Sequence, residues 1–145
     1  MIALIQRVTE ASVTVDSQMI SKIDHGLLLL LGVEKTDDER TAKKLVDKVT
    51  AYRVFGDAEG KMNLNVDQIK GEVLIVPQFT LVAETNNGLR PSFSAAAPPE
   101  QGKALFDAVV DIMQHKLEGV QKGQFGADMS VHLINDGPVT FWLQV

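Results

Sequence analysis

Residues 26–33 read GLLLLLGV, an unbroken apolar run with few places to go. It is far shorter than the roughly 20 residues that would cross a bilayer. It also lacks the alternating polar residues of a strand with one wet face. Leu27 to Leu31 is therefore expected as a strand covered on both faces, with other elements packed above and below it. Chain length permits this, since 145 residues suffice for one domain, 1–145, whose core needs neither disulfide nor metal as a staple.

Around that run the period of the sequence changes twice. Before it, ASVTVD and MISKID alternate apolar and polar residues and are separated by turn formers, so residues 1–33 read as a β-meander. After it, Ala42, Leu45, Val46, Val49 and Tyr52 fall at helical spacing behind Asp37, Asp38 and Glu39, an acidic first turn expected to act as a solvated cap. A second helix is expected from PPEQ, with Pro99 in its first turn. Its broad apolar face is Leu105, Phe106, Val109, Val110, Met113 and Leu117, and it ends near Gly119. Two more strands, DMSVHLI and VTFWLQV, are separated by NDGP. The order predicts an α+β fold with a mainly antiparallel sheet or open β-barrel and two amphipathic helices. The longest irregular stretch, AETNNGLRPSFSAAAPP, is of a length that is usually functional or disordered.

Composition removes several kinds of chemistry. No cysteine means no disulfide, no thiolate metal site and no cysteine nucleophile, and the cytoplasm is the expected location. The N-terminus MIALIQRV lacks the pattern of a secretory signal, and no membrane association is expected. His25, His115 and His132 have no metal-ligand spacing, and no metal or cofactor is expected. There is no G-x-S-x-G elbow, P-loop or G-x-G-x-x-G. With 19 acidic and 14 basic residues the net charge is −5, so any nucleic-acid contact should be local and small.

Two segments remain. In PQFTL, Pro77 has no N–H to give a sheet ladder, so the chain there is at an edge, a bulge or a strand end, and the backbone from Gln78 to Thr80 is free to close a turn or to line a pocket. In NDGPVTFW, Asn135 to Pro138 is a turn tetrapeptide, and composition alone favours a hairpin connection. The letters leave the Gly137–Pro138 peptide geometry open.

Taken together, MIALIQRV, LIVPQFTL, GLRPSFS, FGADM and NDGPVTFWLQV, in this order along essentially the whole chain, resemble the bacterial D-aminoacyl-tRNA deacylase family. Its motifs are Ser-Gln-Phe-Thr and Asn-x-Gly-Pro-Val-Thr. The resemblance implies a homodimer in which Gly137–Pro138 is cis and reaches into the partner's pocket. It makes Gln78, Phe79 and Thr80 the candidate catalytic residues of the pocket wall. Arg7 matches the arginine that braces the Gly-Pro segment, and Met129 lies near the rim. With Gly137, Pro138 and Pro77, these two complete the candidates for substrate binding and chiral selection. Pro77 is a departure, because the family has serine there, and it removes one hydroxyl and one backbone donor.

The implied reaction is hydrolysis of the ester joining a D-amino acid, or glycine, to the terminal ribose of tRNA, with L-aminoacyl esters rejected. Such an ester needs a positioned water and oxyanion donors more than a strong nucleophile. The N–H groups of Phe79 and Thr80 are the candidate donors, with a substrate ribose hydroxyl to orient the water. Thr80 as a covalent nucleophile ranks second, since nothing near it in sequence supplies a base. The rival reading is a non-catalytic binder of aminoacylated RNA ends, its site weakened by Pro77.

Overall fold

In the computed structural model, which describes residues 1–145, the N-terminal segment forms β1 (Ile2–Val15), β2 (Gln18–Ile23) and β3 (Gly26–Gly32). β1 and β2 are joined by a two-residue turn in which Asp16 and Ser17 both have positive φ, 48° and 64°, the twist that suits a tight hairpin. The meander is not formed as expected. β1 is long enough to serve two neighbours along one edge: Ala11–Val15 pairs with β2, and Ile2–Val8 pairs with β3, so β2 and β3 do not follow each other in the sheet.

Next come α1 (Glu39–Ala51), the short pair β4 (Phe55–Gly56) and β5 (Met62–Leu64), and β6 (Glu72–Pro77). They are followed by α2 (Pro99–Gln114), β7 (Val120–Lys122) and β8 (Ser130–Gln144). β6 runs parallel to β3, and β7 runs parallel to β6, so the two helices lie in the crossovers that parallel neighbours require. The remaining pairings of the main sheet are antiparallel. β2 packs back against β6 and β7, which curls the sheet toward a barrel.

The apolar run behaves as its letters require. Leu27, Leu29 and Leu31 join Val73 and Ile75 of β6 beneath the helices, where Leu45, Val46, Val49, Phe106, Val109 and Met113 complete the main core. Leu28, Leu74 and Val76 point the other way, into a second cluster with Val8, Ala11, Val13 and Ile23 inside the curl. Asp38 is the N-cap of α1, in a reciprocal box with Thr41, and those Thr41 hydrogen bonds hold its carboxyl below the usual aspartate range. Asp37 departs from the expected solvated cap. It is buried, accepting from the Met1 ammonium at 2.7 Å and from the Glu34 N–H at 2.7 Å.

The expected hairpin at NDGP is absent. β8 is one strand that pairs with β1 from Ser130 opposite Thr14 to Gln144 opposite Ile2. With both halves seated on β1, the turn-forming letters need only bulge. Asp136 to Val139 stand opposite Arg7 alone, between the pairs Val8–Asn135 and Gln6–Thr140. No helix is long and apolar enough to cross a membrane.

Candidate active site

Pro77 is the last residue of β6, opposite Leu31, and the ladder closes one step later where Gln78 N–H donates to Leu31 O at 2.7 Å. The chain then turns into one 3-10 turn, Phe79–Val82. The strand-end alternative for PQFT is thus what forms, and a turn follows it directly. Phe79 and Thr80 open that turn, so their N–H groups have no acceptor within it. Gly32 provides the seat: a Cβ there would lie 3.0 Å from Leu81 Cβ and 3.1 Å from Val82 Cγ1.

Phe79 is 62% exposed, a large apolar surface for a side chain with a whole core available. Its one aromatic neighbour is Phe93, at 5.1 Å between ring centroids and 55° between planes. Gln78 Nε2 donates to Thr80 Oγ1 at 2.6 Å. The Thr80 hydroxyl has no other side-chain partner. The three histidines lie against carboxylates elsewhere: His25 by Asp136, His115 by Asp111 and His132 by Glu10. None of the three histidines is therefore paired with the threonine. Met129 comes to Pro77 across Gly123, where a Cβ would lie 2.9 Å from Met129 Sδ and 3.4 Å from Pro77 Cδ.

The second group of candidate residues stands on the β8 bulge. Gly137 has φ +124°, and its peptide to Pro138 is cis. Arg7, whose side chain is 15% exposed, lies against the bulge: Nε donates to Asp136 O at 3.1 Å and sits 3.1 Å from Asp136 Oδ2, while Nη1 donates to Val54 O at 2.6 Å. Gln6 Nε2 spans the bulge, reaching Asn135 Oδ1 at 3.4 Å and Thr140 Oγ1 at 3.3 Å.

These two halves are not together in one chain. Arg7 pairs with Leu27 near the start of β3, whereas Pro77 pairs with Leu31 near its end. Four residues of strand separate them, at least about 13 Å. Pro77, Gln78, Phe79, Thr80 and Met129 form one group, and Arg7, Gly137 and Pro138 another. Sequence reasoning overlooked Phe93, Gly123, Gln6, His25 and Asp136 as members. Of these, Phe93 had a signal, since it lies in the long irregular stretch that follows PQFT, and Asp136 had one as part of NDGP.

The structure is similar to known proteins along its whole length. A family model described as D-Tyr-tRNA(Tyr) deacylase matches residues 4–144. A D-aminoacyl-tRNA deacylase of Pasteurella multocida (strain Pm70) is 60% identical over 145 residues, covering all of both chains. One from Escherichia coli O1:K1 / APEC is 59% identical with the same coverage. A solved structure titled c-Myc DNA Unwinding Element Binding Protein superposes with a TM-score of 0.96 at 38% identity, covering 100% of this chain and 99% of that one.

Proposed function

From the premise that the chain belongs to the D-Tyr-tRNA(Tyr) deacylase family and hydrolyses D-aminoacyl-tRNA, we propose that it works as a cytoplasmic homodimer with each site shared between two copies. The separation of the two halves along β3 is the observation that carries this reading. A pocket wall at one end and a bulge at the other can serve one substrate only if a second copy brings its bulge to the first copy's wall. β8 supports the same arrangement. It pairs with β1 alone, leaving a long free edge, and it exposes Ile134 at 49% and Trp142 at 51%.

In this reading the main chain of Gly137 and Pro138 is the chiral wall. L and D esters carry the same groups and differ in where Cβ points, so rejection must come from shape. A wall made of backbone is indifferent to the side chain it admits. Many D-amino acids would pass, and so would glycine on a mischarged tRNA. The free N–H groups of Phe79 and Thr80 would take the developing oxyanion, and a ribose hydroxyl of the substrate would orient the water. Gln78 would hold the Thr80 hydroxyl in place.

The test of function is incubation with D-tyrosyl-tRNA and L-tyrosyl-tRNA. Release of the D-amino acid alone is expected; binding without release would instead favour the non-catalytic binder. The shared site has its own test. Mixing Gly137→Ala with Phe79→Ala chains, each inactive alone, should restore roughly a quarter of wild-type activity, from one intact site in each mixed dimer. No recovery after subunit exchange would refute sharing.

Two further outcomes bear on the chemistry. Thr80→Ala should keep its rate within about tenfold, while Gln78→Ala and Phe79→Ala lose more through pocket shape. A covalent aminoacyl-Thr80 species in mass spectrometry would reverse that ranking. Pro77→Ser adds one hydroxyl and one N–H, about 0.5–1.5 kcal/mol of hydrogen bonding if both ends are met, so deacylation should change by no more than about tenfold. An inactive parent rescued by serine would mark the natural site as disabled.

A further inference from the structure

Asp136 immediately precedes Gly137, and its carboxylate lies between two basic side chains from different elements. Arg7 Nε of β1 is 3.1 Å from Oδ2. His25 Nε2, from the turn between β2 and β3, is 3.6 Å from the same oxygen. Both bases lean on one buried stretch after α1. Arg7 donates to Val54 O, and the His25 ring stands edge-on to Phe55, with centroids 5.3 Å apart and planes at 88°. A cleft of about 340 Å³ opens beside them, and its charged or titratable side chains are Arg7, His25 and Asp136 alone.

We propose that Asp136 and His25 are positioning residues for deacylation, acting together on the Gly137–Pro138 segment. This rests on the reading that the segment completes the partner's site. Arg7 carries its charge at every working pH, so its grip is constant. Histidine is the side chain that changes charge between pH 5 and 8. Protonated His25 gives Asp136 a second ion pair, and neutral His25 withdraws it. The His25 contribution is therefore present when its ring is protonated and absent when it is neutral. Two further carboxylates lie close to His25: Asp24 of its own turn, 3.9 Å from Lys22, and Glu72 of β6, which accepts the Asp24 N–H at 2.6 Å. The facing residues of β4 and β5 are Phe55, Gly56 and Met62, which bear no charge.

The pair is partly exposed, so the effect is small, about two- to fivefold. It is read as a ratio. D-tyrosyl-tRNA deacylation by the wild type over that by His25→Gln should be about two to five where His25 is protonated and about one where it is neutral. The uncatalysed loss of the ester, measured at each pH without enzyme, is subtracted from both rates. Asp136→Asn should abolish the same step with His25 still in place. In parallel, the Gly137 amide resonance of the 15N-labelled protein without substrate should move with the His25 titration, and stop moving in His25→Gln. A Gly137 amide that ignores His25, or a ratio flat with pH, overturns the proposal. If the amide follows His25 while no pH yields release of D-tyrosine, the coupling stands, and the functional reading of Gly137–Pro138 is what fails.

Discussion

Replacing Gly137 with alanine is expected to cut deacylation of D-tyrosyl-tRNA by about 100-fold or more, with the protein still folded. At φ +124° an L side chain is strained whatever space surrounds it, and here there is little. A Cβ would lie 2.9 Å from Val139 Cγ2 and 3.1 Å from Arg7 Nη2. Arg7 cannot step aside without giving up Val54 O and the Asp136 carbonyl, the bonds that hold the bulge. The segment itself must shift, and displacement by about 1 Å in the proposed chiral wall is enough for a loss of this size. The bulge is at the surface, so thermal unfolding should move only by a few degrees. Steady-state deacylation with a melting curve on the same sample checks both halves of this. A near-wild-type rate would remove Gly137 from the site.

The second large effect is on the fold. Gly26→Ala should destabilise the protein by about 3 kcal/mol, lowering the melting temperature by roughly 6–12 °C. Gly26 lies where β3 joins β6, opposite Glu72, and an added Cβ would overlap the Glu72 backbone carbonyl. Backbone atoms have no rotamer to escape into, so the two strands must part. β6 ends at Pro77 of the candidate site, and activity should fall along with stability. Gly56→Ala is the control, because nothing lies within 4 Å of its added Cβ. Equal melting temperatures for the two variants would show that the close approach of β3 and β6 is relieved without cost.

The candidate site was legible in part, for reasons that differ from residue to residue. Pro77 signals an edge, a bulge or a strand end because it lacks an N–H, a local property that no tertiary context alters. NDGP signals a turn by the same kind of local chemistry, yet it forms a bulge. Whether four turn formers reverse the chain or merely protrude depends on whether the next strand finds its partner behind or ahead, and β1 offers room ahead. Asp37 looks like any residue of an acidic helix start, and only the arrival of Met1 beside it makes it a buried ion partner. Gly123, His25 and Asp136 carry no sequence spacing that ties them to PQFT or to Arg7. They become neighbours because β-strands distant along the chain are laid side by side.

What the sequence determines alone is what depends on near neighbours. Leu27 to Leu31 had to be covered on both faces, α1 and α2 had to bury their apolar stripes, and Pro77 had to stand at an edge, a bulge or a strand end. Each follows from side-chain period and backbone donors within a few residues. Pairing and placement were decided only by the tertiary structure: β1 shared between β2 and β3, β8 running unbroken past its bulge, and Pro77 and Arg7 set near opposite ends of β3. These are choices among edges that many strands could occupy, and the free energy that selects one belongs to the whole core rather than to any stretch of letters.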